Sequence, residues 1–195
     1  MRYSVSELSD LIRDRRTIFP KDYTDRVVQR EIVERILQNA TWAPTHGMTQ
    51  PWRFVVFTGE GRKRLSDHLG SEYTRTTPPE KFLQKKYDNH VNRPLQASVA
   101  IALGMARDPV GKISELDEMH AMACAVQNMH LTCTAYGLGG FWNTGAVITG
   151  DSMRTFLGLG EQDRCLGVFY VGYPGIEWPK SHRRSSVDVV RWVEE

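Results

Sequence analysis

The stretch "APTHGMTQPWRFVVF" (residues 43–57) joins two different hydrophobic patterns and sets the order of the elements around it. Upstream, residues 29–42 repeat apolar side chains at helical spacing, and Pro44 is expected to end that helix. Downstream, "WRFVVFT" (52–58) is a short aromatic and β-branched run that predicts a strand. The polar residues between the two patterns therefore form a loop beside a strand end, where binding residues are often found.

Three further helices are predicted from spacing and capping residues. Residues 4–14 form an amphipathic pattern with Ser4 as N-cap, and residues 60–72 have a helical pattern. The first twenty-odd residues of 113–142 are rich in Ala, Met and Leu, and Gly137 ends that pattern. Because the apolar residues of this long helix spread widely around its axis, we expect it to be buried, even against a second subunit.

Two segments, "ASVAIALGM" (97–105) and "RCLGVFYVGY" (164–173), are apolar almost without alternation, which indicates central strands covered on both faces. Residues 73–93 are polar and weakly patterned, and we expect a mobile lid or flap there. The valine-rich tail within residues 174–195 has no partner strand nearby and is expected to pair elsewhere, even on another chain. The pattern predicts one α+β domain over residues 1–195, a mixed sheet with helices on both faces.

The composition excludes several classes of protein. The 195 residues carry a formal charge of +2, which gives no electrostatic reason to expect a nucleic-acid partner. The longest apolar run, residues 97–106, is about half the length of a membrane span, so no membrane association is expected. Three cysteines in no framework spacing, and a start that lacks the apolar core of a leader, predict a cytoplasmic protein.

Motifs for self-sufficient catalysis are missing from the sequence. The G-x-G of "FTGEGRKRL" (57–65) lacks the third glycine of a dinucleotide fingerprint. His120 with Cys124, and His130 with Cys133, have helical ligand spacing, but core packing explains them better than a metal site. We therefore predict no catalytic side chain and no metal, and expect a bound cofactor to supply the chemistry.

Four segments in order resemble the FMN-dependent nitroreductase family, in particular its compact branch of under 200 residues. They are "DRRT" (14–17), "WAPTHGMTQPWRFVV" (42–56), "AVQNMHLTCTAYGLGGFWNTG" (125–145) and "GYPGIEWPKSHRRSSVDVVRW" (172–192). The resemblance implies a mixed, mainly antiparallel central sheet flanked by helices, with the C-terminal extension exchanged in a homodimer. It also implies that FMN is bound at the interface between the two subunits.

The family's phosphate-binding Arg-x-Ser/Thr is matched by Arg15 and Thr17, with Arg16 as a further candidate. A dianionic phosphate favours fork-shaped guanidinium donors and a hydroxyl, although two arginines at a helix end can also be purely structural. Many relatives carry a basic residue where this chain has Phe19, so one phosphate contact is expected either to be missing or to be supplied by the tail. There the resemblance favours Arg184, whereas for Arg183 a solvated surface position is equally plausible.

The resemblance implies that the flavin ring lies between two segments, the loop 44–52 and the segment 139–145. In the loop, His46 is assigned to cofactor binding and Gln50 to the pyrimidine edge, where an amide can donate and accept. Met48 departs from the Asn or Ser common at its place, which puts one polar contact in doubt. The complete set of cofactor-binding residues implied by the resemblance is Arg15, Arg16, Thr17, Trp42, His46, Gln50, Gly140, Trp142, Asn143, Thr144 and Arg184.

The resemblance implies a reaction class as well. NADH or NADPH would pass a hydride to FMN, and a nitroaromatic, quinone or similar electron-poor acceptor would then take the electrons through the same pocket in a ping-pong cycle. Two alternatives remain: a flavin-dependent enone reductase or dehydrogenase of the same family, and a flavin-binding protein without turnover.

Overall fold

The computed structural model describes residues 2–194, so Met1 and Glu195, the ends of the predicted domain, lie outside the described residues. The described part contains four strands and seven α-helices. The strands are β1 (Trp52–Phe57), β2 (Val99–Met105), β3 (Gly139–Asn143) and β4 (Arg164–Gly172). The helices are α1 (Val5–Asp14), α2 (Arg30–Ala40), α3 (Glu60–Thr76), α4 (Gln84–Gln96), α5 (Glu115–Ala135), α6 (Ala146–Thr149) and α7 (Asp151–Phe156).

The sheet has the order β1-β2-β4-β3, and every neighbouring pair is antiparallel. Within residues 2–194, parallel pairing occurs only in an isolated bridge between Thr17 and Gly140. The predicted α+β class with a mainly antiparallel sheet is therefore confirmed. Three of the strands, β1, β2 and β4, lie where the sequence predicted them, whereas β3 was not predicted as a strand. The central strand β2 is buried along its whole length.

Helices cover both faces of this sheet, as predicted. On one face, Val99, Ile101 and Leu103 of β2 pack in a core with residues of α2 and α5. On the other face, Ala100 and Ala102 pack against buried residues of α3, α6 and α7. The alternation of side chains along a strand explains why β2 reads as a continuous apolar run, because both of its faces are covered.

The long helix α5 is half covered within one protomer. Its inner face contributes Met122, Val126 and Met129 to the core, whereas Leu116 and Met119 remain exposed. Ser114 caps its N-terminus, since the Ser114 hydroxyl accepts the main-chain N–H of Asp117 at 3.1 Å. No described helix is long and apolar enough to cross a membrane.

The segment 73–93 is more regular than the sequence suggested. Helix α3 extends to Thr76 and α4 begins at Gln84, so most of the expected flap is helical. Few apolar residues anchor it: Tyr73 is buried, and its hydroxyl accepts the main-chain N–H of Leu83 at 3.0 Å. This sparse apolar face explains the weak hydrophobic pattern, and movement of the segment as a lid stays a prediction.

The C-terminal tail contains no strand among its described residues. Residues 177–194 follow β4 with a single short 3₁₀ turn, Ser186–Asp188, and Val187, Val189 and Trp192 are exposed. The valine-rich segment therefore has no strand partner among residues 2–194 of the same chain.

A buried histidine of α5 faces the sheet at β3 and β4. His130 is 7% exposed, its ring packs edge-on against Phe169 with 4.7 Å between centroids, and its Nδ1 has no hydrogen-bond partner within residues 2–194. Burial, and secondarily the positive charge of Arg15, lowers the pKa of His130 to about 4. The ring is therefore neutral at physiological pH.

This pKa shift predicts acid sensitivity of the fold. Because the unfolded chain takes up a proton near pH 6.5 and the folded chain only near pH 4, stability falls as pH decreases between these values. The loss from His130 amounts to about 3 kcal/mol, complete near pH 4. Urea unfolding followed across this range for the wild-type chain and His130→Gln measures it, and the variant is expected to have a flatter profile. Identical pH profiles for the two proteins would contradict the assignment.

Candidate functional site

An open cleft of about 520 Å³ lies where α1 ends. Helix α1 stops at Asp14 because Arg15 takes an extended backbone conformation, while its N–H still donates to the carbonyl of Leu11. The cleft is lined by Ile12, Arg13, Asp14, Arg15, Arg16, Gln127, Ser181, His182 and Arg183. Four guanidinium groups thus face one acidic residue among the described lining, and the cleft is strongly cationic.

The cations in this cleft lie close enough to repel one another. The pKa of Arg15 is lowered first by burial, then by the charges of Arg183 and Arg16. An arrangement of like charges on a part-buried helix end is unfavourable by itself, and a bound anion would relieve it. The site is thus suited to a phosphate or carboxylate ligand.

Arg16 is used differently from Arg15. Its Nε donates to the carbonyl of Pro179 at 2.6 Å, and its Nη1 donates to the carbonyls of Arg13 and Arg15. A second tie runs from Trp178, whose indole N–H donates to the carbonyl of Asp14 at 2.6 Å. Arg16 therefore fastens the tail to the end of α1, and most of its donor capacity is already used.

These ties place the tail across the cleft. Arg183 reaches it, with Nη1 donating to the Ser181 hydroxyl at 2.8 Å and to the His182 carbonyl at 2.9 Å. Arg184, the tail residue favoured by the sequence, is exposed and is not among the lining residues. The structure brings Arg183 to Arg15 instead.

Thr17 connects the cleft to β3. It bridges to Gly140, and the next residue, Ile18, donates its N–H to the Gly140 carbonyl at 3.3 Å. A Cβ on Gly140 would lie 2.7 Å from the Phe169 ring and 3.1 Å from His130 Nδ1. Glycine is thus needed there for close packing, and Arg15, Arg16, Thr17 and Gly140 form one continuous region.

The other residues predicted on β3 divide between the two faces of the sheet. Trp142 lies on the α5 side, where its indole N–H donates to the Leu166 carbonyl at 3.0 Å, so its polar atom serves the core. Asn143 is buried on the opposite face, next to Tyr170, and its Nδ2 has no partner among the described residues. Thr144 is exposed just beyond the strand.

The loop after α2 has an unusual backbone. Gly47, Met48 and Gln50 have φ angles of 58°, 54° and 46°, a region that side-chain-bearing residues rarely adopt. The Thr45 hydroxyl accepts the N–H of Gln50 at 3.1 Å and so closes the turn. The side chains of His46, Met48 and Gln50 are exposed, as expected for a ligand-facing wall. Strained conformations of this kind concentrate at binding sites.

Trp42 lies apart from these groups, at a shallow surface cleft. It is 81% exposed and lines that cleft with Asn39, Asn128, Leu131 and Thr132. Within one protomer Trp42 therefore has no contact that assigns it a role.

The loop and the cationic cleft are separated along α5. His46 meets the helix at Asp117, with 3.3 Å between Nδ1 and Oδ2, whereas the cleft meets it at Gln127. Ten residues of helix span roughly 15 Å. Gln127 was not predicted, although the polar pair Gln127-Asn128 interrupts an otherwise apolar stretch of α5 and could have drawn notice.

Comparison with known proteins assigns the family. Residues 12–173 match the profile of the nitroreductase family. The chain is 31% identical to YdjA of Escherichia coli strain K12, provisionally named an NAD(P)H nitroreductase, over 75% of this chain and 78% of YdjA.

Two solved structures are also similar. A nitroreductase-like family protein from Bacillus cereus is 25% identical with a TM-score of 0.82, covering 100% of this chain and 99% of that one. A protein from Desulfovibrio desulfuricans, provisionally a nitroreductase and solved in complex with FMN, is 27% identical with a TM-score of 0.71 over 96% and 97%. With its α+β fold, its Arg-Arg-Thr segment and this profile match, the chain belongs to the nitroreductase family of oxidoreductases.

Proposed function

We propose that this protein is an FMN-dependent oxidoreductase that uses NADH or NADPH to reduce nitroaromatic, quinone or similar electron-poor acceptors. The observation that carries this proposal is the convergence of Arg15, Arg16 and Arg183 on one cleft beside Thr17. A flavin mononucleotide ends in a dianionic phosphate, which matches this surplus of guanidinium donors. The similar protein solved in complex with FMN supports the same cofactor.

The phosphate contacts divide among residues with different duties. Arg15 and Arg183 line the cleft and would hold the phosphate, while the exposed Thr17 would offer its hydroxyl nearby. Arg16 is occupied by main-chain carbonyls and keeps the tail, with Arg183, in place. Arg184 would contribute a longer-range positive charge.

The ring would be bound by the loop and by β3. The exposed Gln50 amide can both donate and accept at the pyrimidine edge, and His46 would pack beside it. Gly140 lets the start of β3 pack closely against His130 of α5 and Phe169. Bound FMN supplies the hydride and electron chemistry that no side chain of this chain provides.

No side-chain proton donor is required by this proposal. The buried His130 is affected by the charge of Arg15, and it is neutral at physiological pH. The chain's contribution is to position the donor and acceptor successively in one pocket and to offer positive charge to an anionic ligand. This agrees with a ping-pong cycle.

We propose that the protein forms a homodimer, and apolar surfaces that one protomer leaves uncovered support this proposal. The apolar side chains of α1 remain open to solvent, with Val5, Leu8 and Ile12 exposed to 62%, 52% and 50%. Such a stripe on an amphipathic helix is normally buried. Leu116 and Met119 of α5 are also exposed apolar side chains.

The tail of a second copy has a suitable place to bind. Strand β1 is at one edge of the sheet, and the outer side of the opposite edge strand, β3, is already bridged by Thr17. Next to β1 lies a groove of about 490 Å³ whose apolar lining includes Val33, Leu37 and Val56. We propose that the valine-rich tail of the partner pairs there, so that two chains complete each FMN site.

Anaerobic addition of NADH or NADPH to FMN-loaded protein tests the function. We expect rapid bleaching of the bound flavin with at least one of the two, and recovery of its colour when a nitroaromatic or quinone is added. Free FMN at the same concentration is the control. Bound flavin that stays oxidised with both donors would indicate a flavin-binding protein, and recovery only with enones would indicate the other enzyme class.

Substitution of Arg15 tests the phosphate site. Because a charge-assisted hydrogen bond contributes about 1.5 to 3 kcal/mol, Arg15→Ala should weaken FMN binding about 10- to 150-fold. Arg15→Lys should be intermediate, since it keeps the charge and loses the fork. Arg35→Ala, on the exposed side of α2, is the matched control. Equal FMN affinity of Arg15→Ala and the wild-type protein rules out this role.

Shortening the tail tests the dimer. A chain that ends at Ser186 keeps Arg183 and the ties to α1 but lacks the valine-rich segment. We expect it to sediment as a monomer, or to dissociate at much lower concentration than the full chain, and to retain less FMN. A shortened chain that dimerises as strongly as the full chain would show that the tail is not exchanged.

A further inference from the structure

The loop proposed to contact the flavin has a backbone that needs outside support. Met48 and Gln50 carry side chains, yet both have φ near 50°, together with Gly47. Residues in this region are held only where the surrounding structure determines their conformation. The Thr45 hydroxyl closes the turn locally. The question is which part of the chain supports the loop from below.

The segment before and at the start of α5 provides that support. A Cβ on Gly47 would lie 3.0 Å from Ile113 Cδ1, so the Ile113 side chain fills the space under the turn. One helical turn later, Asp117 Oδ2 lies 3.3 Å from His46 Nδ1. The same oxygen accepts the Ser114 hydroxyl at 2.8 Å, which orients the carboxylate toward the loop.

This supporting segment is itself firmly held. The Asp108 carboxylate accepts the main-chain N–H groups of Lys112 at 2.8 Å and Ile113 at 3.1 Å. The Ile113 carbonyl accepts from Arg107 Nη2 at 3.3 Å, and Arg107 forms an ion pair with the buried Glu118. Glu118 also accepts the Asp108 N–H at 2.7 Å. The base under the loop is therefore fixed by a partly buried, charge-assisted network centred on Glu118.

The Asp117 carboxylate connects this firmly held segment to the loop through its contact with His46. Hydrogen bonds from the Ser114 hydroxyl first and from His46 second lower the pKa of Asp117, which favours the ionised carboxylate. The contact is exposed at both ends, with 66% of the His46 side chain and 42% of the Asp117 side chain open to solvent. Its energetic contribution is thus small, but it acts directly on the residue before the left-handed turn.

We propose that Asp117 is a positioning residue that, acting through His46, holds residues 46–50 in the conformation needed to bind the flavin. This inference rests on the proposed function. A loop that is already ordered loses less conformational entropy on binding, so the contact raises cofactor affinity without touching the cofactor. The residue therefore differs from Arg15, which would contact the ligand.

A double-mutant cycle in FMN affinity tests the role. Asp117→Ala is expected to weaken FMN binding about two- to five-fold, the range of a solvent-exposed contact between a carboxylate and a polar side chain. His46→Ala should weaken it at least as much, and the double variant should be no weaker than His46→Ala alone, because the two residues act as a pair. Asp117→Asn keeps an acceptor and should restore most of the affinity. Asp10→Ala, an exposed carboxylate on α1, should have no effect.

Hydrogen exchange of the FMN-free protein gives a second readout. Amides of residues 44–52 should exchange faster in Asp117→Ala and in His46→Ala, with no further increase in the double variant. Independent, additive losses of affinity, or faster exchange with unchanged FMN affinity, would overturn the positioning role and leave the proposed function intact. A wild-type protein that does not take up FMN at all would overturn both.

Discussion

The junction between the end of α1 and the C-terminal tail determines the character of the cleft. Arg16 and Trp178 tie the two segments through main-chain carbonyls, and these ties hold Arg183 against Arg15 despite their like charges. Without them, an exposed tail with several arginines would move away from a cationic helix end. These two hydrogen bonds thus hold like charges close together, an arrangement that a bound anion would stabilise.

Much of the fold was predictable because the two central strands of the sheet have unusually clear hydrophobic patterns. β2 and β4 are covered on both faces, so their sequences are apolar throughout and could not be mistaken for loops. The prediction for the region of α4 was wrong, because a helix that packs with few apolar residues shows little hydrophobic periodicity in its sequence. The structure of this region depends on individual contacts, such as the hydrogen bond between Tyr73 and Leu83. Amino-acid composition does not predict such contacts.

The candidate site was predictable in its segments but not in the duties of its residues. The Arg-Arg-Thr motif marks the end of α1, yet which guanidinium faces the cleft depends on where the tail carbonyls lie. The choice between Arg183 and Arg184 has the same cause, because adjacent residues of an extended tail point in different directions. The positioning role proposed for Asp117 could not be predicted from the sequence either, since a carboxylate in the first turn of a helix is ordinarily explained by the helix dipole.

The separation of the loop from the cleft has a thermodynamic consequence in the proposed dimer. The two groups of residues meet α5 roughly 15 Å apart, so one protomer offers the ring wall and the phosphate cleft at different places. If each flavin is held by a loop from one chain and a cleft from the other, cofactor binding and dimerisation are linked equilibria. Linkage is reciprocal, so FMN must tighten the dimer by the same factor by which dimerisation tightens FMN. In that case, burial of the exposed apolar stripe of α1 in the dimer and binding of FMN by the strained loop stabilise each other.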